Sequence, residues 1–402
     1  MKRKLGFMLL AAALTLSACG GSNTTTDSAQ SSAVQKEESG ENSGFDAQGA
    51  DVIRIGALGP LTGEVATYGV STTNGVKMAL EEINEAGGIA GHEIEFLLED
   101  EKGDPTEAVN ALHKLMDEEI VALIGDVTSG PTNVVAEETQ ESGLPMITPT
   151  GTQANLTEGR PNVFRACFID PYQGTILGQF AKEEFDAKTA AILSNSSSDY
   201  SDGIAEAFKK EAEALGIEIV AHEKYGNTDK DFSAQLTTIA GKKPDVLVVP
   251  DYYEKDALIL QQAKDAGIDC PILGGDGWDG TLQQLGADTA LAKKVYFTNH
   301  YAADSQDEKV KSFVDNYTKK FGESPTAFSA LGYDTAHMLV EAIKQAGSTD
   351  AAAIVKALKA LQYNGVTGSM TFDENNNPVK AVSIITLQDG TYSFYKTVER
   401  SE

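Results

Sequence analysis

From Val52 onward, apolar runs of strand length alternate with amphipathic segments of helix length, and the alternation continues to the C-terminus. Val52–Leu58 (VIRIGAL) stops at Gly59-Pro60. Ser71–Ala86 follows as a helix, with Val76, Met78, Ala79, Leu80 and Ile83 on its inner side and Gly87-Gly88 at its end. Glu93–Glu99, Ile120–Gly125 and Pro145–Pro149 read as further strands, separated by helices over Thr106–Glu118 and Thr132–Ser142. A second series starts near Gln173 with a helix to Phe185. It continues through strand Thr189–Ser194, helix Ser201–Leu215, strands Glu218–Glu223 and Val246–Pro250, helix Glu254–Ala266 and strand Pro271–Leu273. Phe328–Gln345 is a strong amphipathic helix, and Val382–Leu387 and Thr391–Lys396 alternate like antiparallel strands. Such a pattern requires mostly parallel sheets covered by helices on both faces. The expected fold class is therefore α/β, with two doubly wound parallel-sheet lobes whose functional residues follow the carboxyl ends of strands.

Composition narrows the partners. The chain has 402 residues, with Lys+Arg 32 against Asp+Glu 60, a net charge of −28. That balance opposes phosphate-backbone contact and docking on anionic lipid through a basic face, so no nucleic-acid partner is expected. Hydrophobic residues make up 41%, an ordinary globular share. The three cysteines do not form a disulfide framework: Cys19 lies in the leader, and spacing leaves open whether Cys167 and Cys270 pair.

Residues 1–19 (MKRKLGFMLLAAALTLSAC) place a basic start before a short apolar run and then small residues, an export signal rather than a membrane span. Leu16-Ser17-Ala18-Cys19 resembles the bacterial lipobox, which implies cleavage after residue 18 and diacylglycerol on Cys19. Two or more acyl chains would hold such a protein at a membrane face. From Gly20 to Ala50, Ser, Thr, Asn, Gln, Gly and acids dominate, with Val34 and Phe45 the large apolar residues. This reads as a disordered linker with a reach of about 30 Å.

Several post-strand segments occur together: Gly59-Pro60-Leu61-Thr62-Gly63 with Tyr68-Gly69, Gly87-Gly88-Ile89-Ala90-Gly91, Asp104-Pro105, Met146–Thr152, and Asp245–Tyr253 with Gly275-Asp276-Gly277. In this order and spacing the chain resembles the branched-chain (leucine/isoleucine/valine) amino-acid binding proteins of ABC importers, from about Val52 to the C-terminus. The resemblance implies a type I periplasmic-binding-protein fold with a multi-strand hinge. The expected first lobe spans 51–170 and 300–380, and the second spans 171–299 and 381–402, after a signal peptide over 1–18 and a linker over 19–50. It further implies an extracytoplasmic, lipid-anchored monomer that takes a branched-chain amino acid (leucine, isoleucine or valine) by lobe closure, delivers it to a membrane permease and uses no cofactor or metal.

Site residues follow from the same resemblance. Ser129 and Thr152, with a backbone N–H near Thr152, hold the ligand carboxylate, while groups around Thr150 and Gly151 share the ammonium with Asp276. Tyr68, Tyr200 and Tyr252 wall the cleft. Thr128, Tyr172 and Trp278 are further candidates, Tyr172 standing near a position where relatives sometimes carry an acid. Some relatives have a first-lobe disulfide at positions that are Gly103 and Thr128 here, so this chain lacks it. Physically, a zwitterion needs a helix N-terminus or hydroxyls for its carboxylate and a carboxylate for its ammonium once buried. Aromatic walls suit an apolar side chain. Taken singly, Ser129 and Thr152 also read as helix N-caps, Asp276 as a turn residue and the aromatics as packing. A sensor subunit of the same fold, or an importer component for short amides, urea or aromatic acids, remains an alternative.

Catalysis finds little support. His92, His113, His222, His300 and His337 are scattered, without zinc spacing or a neighbouring nucleophile. Gly59–Gly63 lacks the Lys-Ser/Thr of a phosphate loop. Asp373–Asn377 fails the calcium-loop spacing and reads as a polar hairpin turn.

Overall fold

The computed structural model describes residues 44–388 and 390–398. The expected signal segment, Cys19 and the expected linker up to residue 43 lie outside the described residues. The end of that linker is packed rather than free. Phe45 lies 5.8 Å from the His92 ring, Ala47 is buried, and the Asp46 N–H donates to the Gly347 carbonyl (2.9 Å) while its own carbonyl accepts from Thr349 (3.1 Å). The His92 ring lies about fifty residues away and Gly347 and Thr349 about three hundred, so local composition does not reveal them.

The first series runs β1 (Val52–Gly59), α1 (Ala66–Glu85), β2 (Glu93–Asp100), α2 (Pro105–Asp117), β3 (Ala122–Ile124), α3 (Ser129–Ser142), β4 (Met146–Thr148) and β5 (Val163–Arg165). The second runs α4 (Asp170–Phe185), β6 (Thr189–Asn195), α5 (Asp199–Ala214), β7 (Glu218–Tyr225), α6 (Ser233–Lys242), β8 (Val246–Val248), α7 (Tyr253–Asp265), β9 (Ile272–Gly274), α8 (Thr281–Leu285) and β10 (Val295–Asn299). The chain then returns through α9 (Glu308–Phe321), α10 (Ala327–Ala346), α11 (Ala351–Ala360), β11 (Gln362–Gly365), β12 (Gly368–Phe372) and β13 (Pro378–Val379). It ends with β14 (Val382–Thr386) and β15 (Ser393–Val398). Local patterns assign nothing between 274 and 327, where the structure places β10 and α9.

The strands form a five-stranded parallel sheet, β2-β1-β3-β4-β5, a seven-stranded sheet, β15-β14-β10-β9-β8-β6-β7, and a small antiparallel sheet, β11-β12-β13. In the seven-stranded sheet β14 runs antiparallel to both its neighbours, β10 and β15. Each of the two large sheets is covered on both faces, the first by clusters around Ile55 and Leu112, the second by clusters around Leu247 and Phe208. Strand order reverses between β1 and β3 in one sheet and between β6 and β8 in the other, and ligands of doubly wound sheets sit at such points.

Local chemistry sets the helix starts. Asp104 caps α2 by accepting from Thr106 N–H (2.8 Å) and Glu107 N–H (3.0 Å), with Pro105 at the first helical position. Helix α1 begins at Ala66, five residues before the sequence pattern suggests, and its preceding residue Val65 provides no side-chain cap. Helices α1 and α10 approach closely because both carry glycine at the crossing. A Cβ on Gly75 would lie 2.0 Å from the Ser329 carbonyl oxygen, and one on Gly332 would lie 2.1 Å from that of Thr72. Among the described residues, no helix is long and apolar enough to cross a membrane.

Candidate ligand-binding site

Two loops of the first lobe are knitted together beneath the start of α3. The Thr148 hydroxyl donates to the Asp126 carbonyl (2.7 Å), and the Thr150 hydroxyl to the Val127 carbonyl (2.7 Å). Gly151 donates its N–H to Thr148 (2.8 Å), and its carbonyl accepts from Arg165 (3.0 Å) and the Cys167 thiol (3.1 Å). The Thr150 side chain and the Gly151 backbone are thus committed within their own lobe. Thr128 precedes α3 without capping it through its side chain. Ser129 opens the helix, and its hydroxyl accepts from Gln153 N–H (3.3 Å).

The second lobe supplies the acid. Asp276 follows β9 and is 3% exposed. Its Oδ1 accepts from the Tyr200 hydroxyl (2.9 Å) and Gln173 Nε2 (2.9 Å), and its Oδ2 lies 3.3 Å from His300 Nε2. Burial pushes His300 down to about 4, so this contact is a neutral hydrogen bond rather than an ion pair. A second carboxyl stands beside it. Asp170, at the start of α4, is buried, donates its backbone N–H to the Thr152 carbonyl (2.9 Å), and accepts from the same Gln173 Nε2 (3.3 Å). Burial, reinforced by Asp276, raises its pKa well above the usual carboxylate range. Among the described residues, no Lys or Arg forms a salt bridge with either acid. Arg165 acts on Asp170 only through space, its guanidinium being spent on the carbonyls of Gly151, Gln153 and Ala154. Paired buried carboxyls without a protein cation complement a ligand cation.

Aromatic rings frame this centre. Tyr200 stacks on Tyr252 at 4.8 Å and 20°, while Tyr68 meets Tyr252 edge-on at 5.6 Å and stacks on Phe328 at 4.2 Å and 13°. The polar ends are occupied: Tyr68 donates to the Gly277 carbonyl, and Tyr200 donates to Asp276 and accepts from Gly277 N–H (2.8 Å). Ring faces and edges therefore remain for contact. A cleft of about 560 Å³ opens between the lobes, bordered by Thr128, Ser129, Tyr200 and Tyr252. Tyr68, Thr150, Gly151, Thr152 and Asp276 are packed in the junction rather than along this cleft. A larger concavity of about 880 Å³ lies where the crossing segments meet near His300 and Lys380, away from the start of α3.

Several expectations change here. Trp278 is not part of the aromatic wall: it is fully buried in the second lobe's core, with its indole N–H donating to the Val249 carbonyl (2.7 Å). Tyr172 is half-buried against Phe168 (6.4 Å between rings), and the carboxyl at the centre comes from Asp170, two residues earlier. The sequence shows Asp170-Pro171 as a helix opening, with no sign that the carboxyl turns inward. Gln173 and Phe328 also lie at the centre, though their local patterns indicate only helix residues. Cys167 and Cys270 are both free. Behind the binding loops, Glu101 and Asp126 are both buried carboxyls, and burial raises both pKa values, that of Glu101 further through the nearby Asp126 charge.

Paired acids, a helix N-terminus and an aromatic frame between two doubly wound lobes define a binding centre without a catalytic constellation. Residues 52–391 match the periplasmic binding protein family, and the chain belongs to that family, a class that binds solutes rather than transforming them. It is 34% identical over 86% of its length to the Leu/Ile/Val-binding protein BraC3 of Rhizobium johnstonii, covering 91% of that protein. It is 30% identical over 88% of its length to the leucine-, isoleucine-, valine-, threonine- and alanine-binding protein of Pseudomonas aeruginosa, covering 92% of that protein. Among solved structures it resembles the branched-chain amino acid transporter substrate-binding protein LivJ of Streptococcus pneumoniae in complex with isoleucine. There the TM-score is 0.82 at 35% identity, covering 87% of this chain and all of that one.

Proposed function

We propose that this protein is the extracytoplasmic solute-binding component of an ABC importer and captures a free amino acid with a branched aliphatic side chain. The observation that carries the reading is the buried acid pair, Asp170 and Asp276, joined through Gln173 and set opposite the start of α3. The α-ammonium binds at that pair, with Asp276 as its main partner. The α-carboxylate binds at the start of α3 through Ser129 and Thr152, where helix N–H groups point outward. The side chain rests on Tyr68, Tyr200, Tyr252 and Phe328, whose apolar faces offer no strong polar partner.

Closure of the lobes is the working step. An open cleft leaves each ligand charge half solvated, whereas a closed one pairs both, so ligand binding shifts the population toward the closed form that the permease receives. The names of the relatives support the branched-chain assignment. The thermal-shift test uses the full chain against leucine, isoleucine, valine, threonine, phenylalanine, benzoate, acetamide and urea. Stabilisation by the three branched-chain acids is the expected result, and stabilisation by the amides or aromatic acids alone overturns the assignment.

Lipid on Cys19 anchors the monomer at the outer face of the cell membrane. The leader sequence and the lipobox resemblance support this reading. Cys19→Ser is expected to move the protein from the detergent phase to the aqueous phase on Triton partitioning. Unchanged partitioning refutes the anchor.

A further inference from the structure

Helix α1 of the first lobe begins without a cap of its own. Val65 precedes it and contributes no side-chain bond; the Ala66 and Tyr68 N–H groups bond the local carbonyls of Gly63 (3.3 Å) and Val65 (3.1 Å), which leaves Thr67 N–H between them without a local acceptor. The acceptor for Thr67 N–H is the hydroxyl of Tyr253, 3.4 Å away, in the opposite lobe at the first turn of α7. That hydroxyl also donates to the Glu64 carbonyl at 2.7 Å. The Tyr253 N–H donates to the Tyr68 hydroxyl at 3.0 Å, and Tyr68 in turn donates to the Gly277 carbonyl, back in the second lobe. The two rings meet edge-on at 4.7 Å and 84°. Tyr253 is 2% exposed, so these bonds are made away from bulk water.

We infer that Tyr253 is a lobe clasp: it caps α1 across the cleft and, with Tyr68, bonds the lobes directly to one another in the closed form. The inference rests on the closure mechanism proposed above. Every partner of Tyr253 in this chain of bonds is a backbone group or the Tyr68 hydroxyl, so none depends on the ligand side chain. The clasp therefore sets how long the closed form lasts and leaves the choice among amino acids to the acid pair and the aromatic frame. It is a positioning residue rather than a ligand contact. Its outer flank is reinforced where Gln153 Nε2 of the first lobe donates to Asp199 Oδ2 of the second (3.0 Å).

Tyr253→Phe keeps the ring and removes both hydroxyl bonds. In the full chain without ligand, the peptide spanning 63–68 is expected to gain hydrogen exchange while the rest of α1 stays protected. Stopped-flow measurements with leucine, isoleucine and valine are expected to show release faster by roughly 5- to 30-fold, as loss of one or two buried hydrogen bonds predicts. The factor is the same for each ligand, and association is little changed. Unchanged exchange at 63–68 overturns the clasp. So does a factor that differs between ligands, which would make Tyr253 a ligand contact, or an equal rise in exchange throughout α1 and the second sheet, which would make it core packing. Faster exchange at 63–68 in a protein that binds none of the three amino acids leaves the clasp standing and removes the ligand assignment.

Discussion

Asp276→Asn isolates the charge of the centre from its shape. The amide keeps an oxygen that can accept from Tyr200 and Gln173, and its nitrogen faces His300, whose neutral ring has one nitrogen able to accept. The fold should tolerate the change, with little loss of melting temperature. Binding should not. The Asp276 side chain is 3% exposed and receives only neutral donors, so a ligand ammonium bound there would be its first full charge partner. Removing one member of a buried ion pair costs about 3–5 kcal/mol. Asp170 shares Gln173 with Asp276, so it can take up part of the loss, which favours about 3 kcal/mol. That corresponds to a dissociation constant weaker by roughly two orders of magnitude. Titration calorimetry with isoleucine measures the effect, circular dichroism checks the fold, and Asp170→Asn/Asp276→Asn is expected to abolish binding. A well-folded Asp276→Asn protein with wild-type affinity refutes the assignment of the ammonium to this acid.

Three other perturbations test the scaffold. The pKa of Glu101 is raised by burial and then by Asp126, so the folded protein holds a proton that the unfolded chain releases. The stability tied to that proton is complete below the ordinary value of 4.5 and is lost as pH rises through the raised value, on the alkaline side of neutrality. Glu101→Gln is therefore expected to lose less melting temperature than the wild type between about pH 5 and about pH 9, and equal losses refute the proton held on Glu101. Gly332→Ala would bring a Cβ to 2.1 Å from the Thr72 carbonyl and should cost about 2–3 kcal/mol in urea denaturation, whereas Gly241→Ala in α6 meets open space and should be neutral or slightly stabilising. Phe328→Ala removes a buried ring stacked on Tyr68. It should cost about 3–5 kcal/mol of stability and also weaken ligand binding; normal stability with normal affinity would show that Phe328 is not part of the frame.

The doubly wound class is legible in the chain because both helices and strands bury one predictable face. The pattern from Val52 to Leu273 therefore carries its own periodicity. So does the position of the site after strand ends, because strand order reverses there and helix N-termini converge. The start of α1 is not legible. Ala66–Val70 has no amphipathic repeat, and its order comes from Tyr253 and Phe328, which are distant in sequence. Trp278 illustrates the opposite error, since two residues from Asp276 in sequence is far from the cleft in space once the short helical turn at 276–278 sends the indole into the core.

By itself the sequence determines the two α/β lobes and the family-specific loops that carry Ser129, Thr152, Tyr200, Tyr252 and Asp276. All of these depend on neighbours within a turn or a strand, or on motifs of fixed spacing. Tertiary structure alone decides that Asp170 rather than Tyr172 joins Asp276, that Gln173 links the two acids, that Phe45 packs on the first lobe, and that α1 is capped from across the cleft. Each of these joins residues from about fifty to three hundred positions apart, or turns on the direction in which one side chain leaves a helix, and a linear pattern encodes neither.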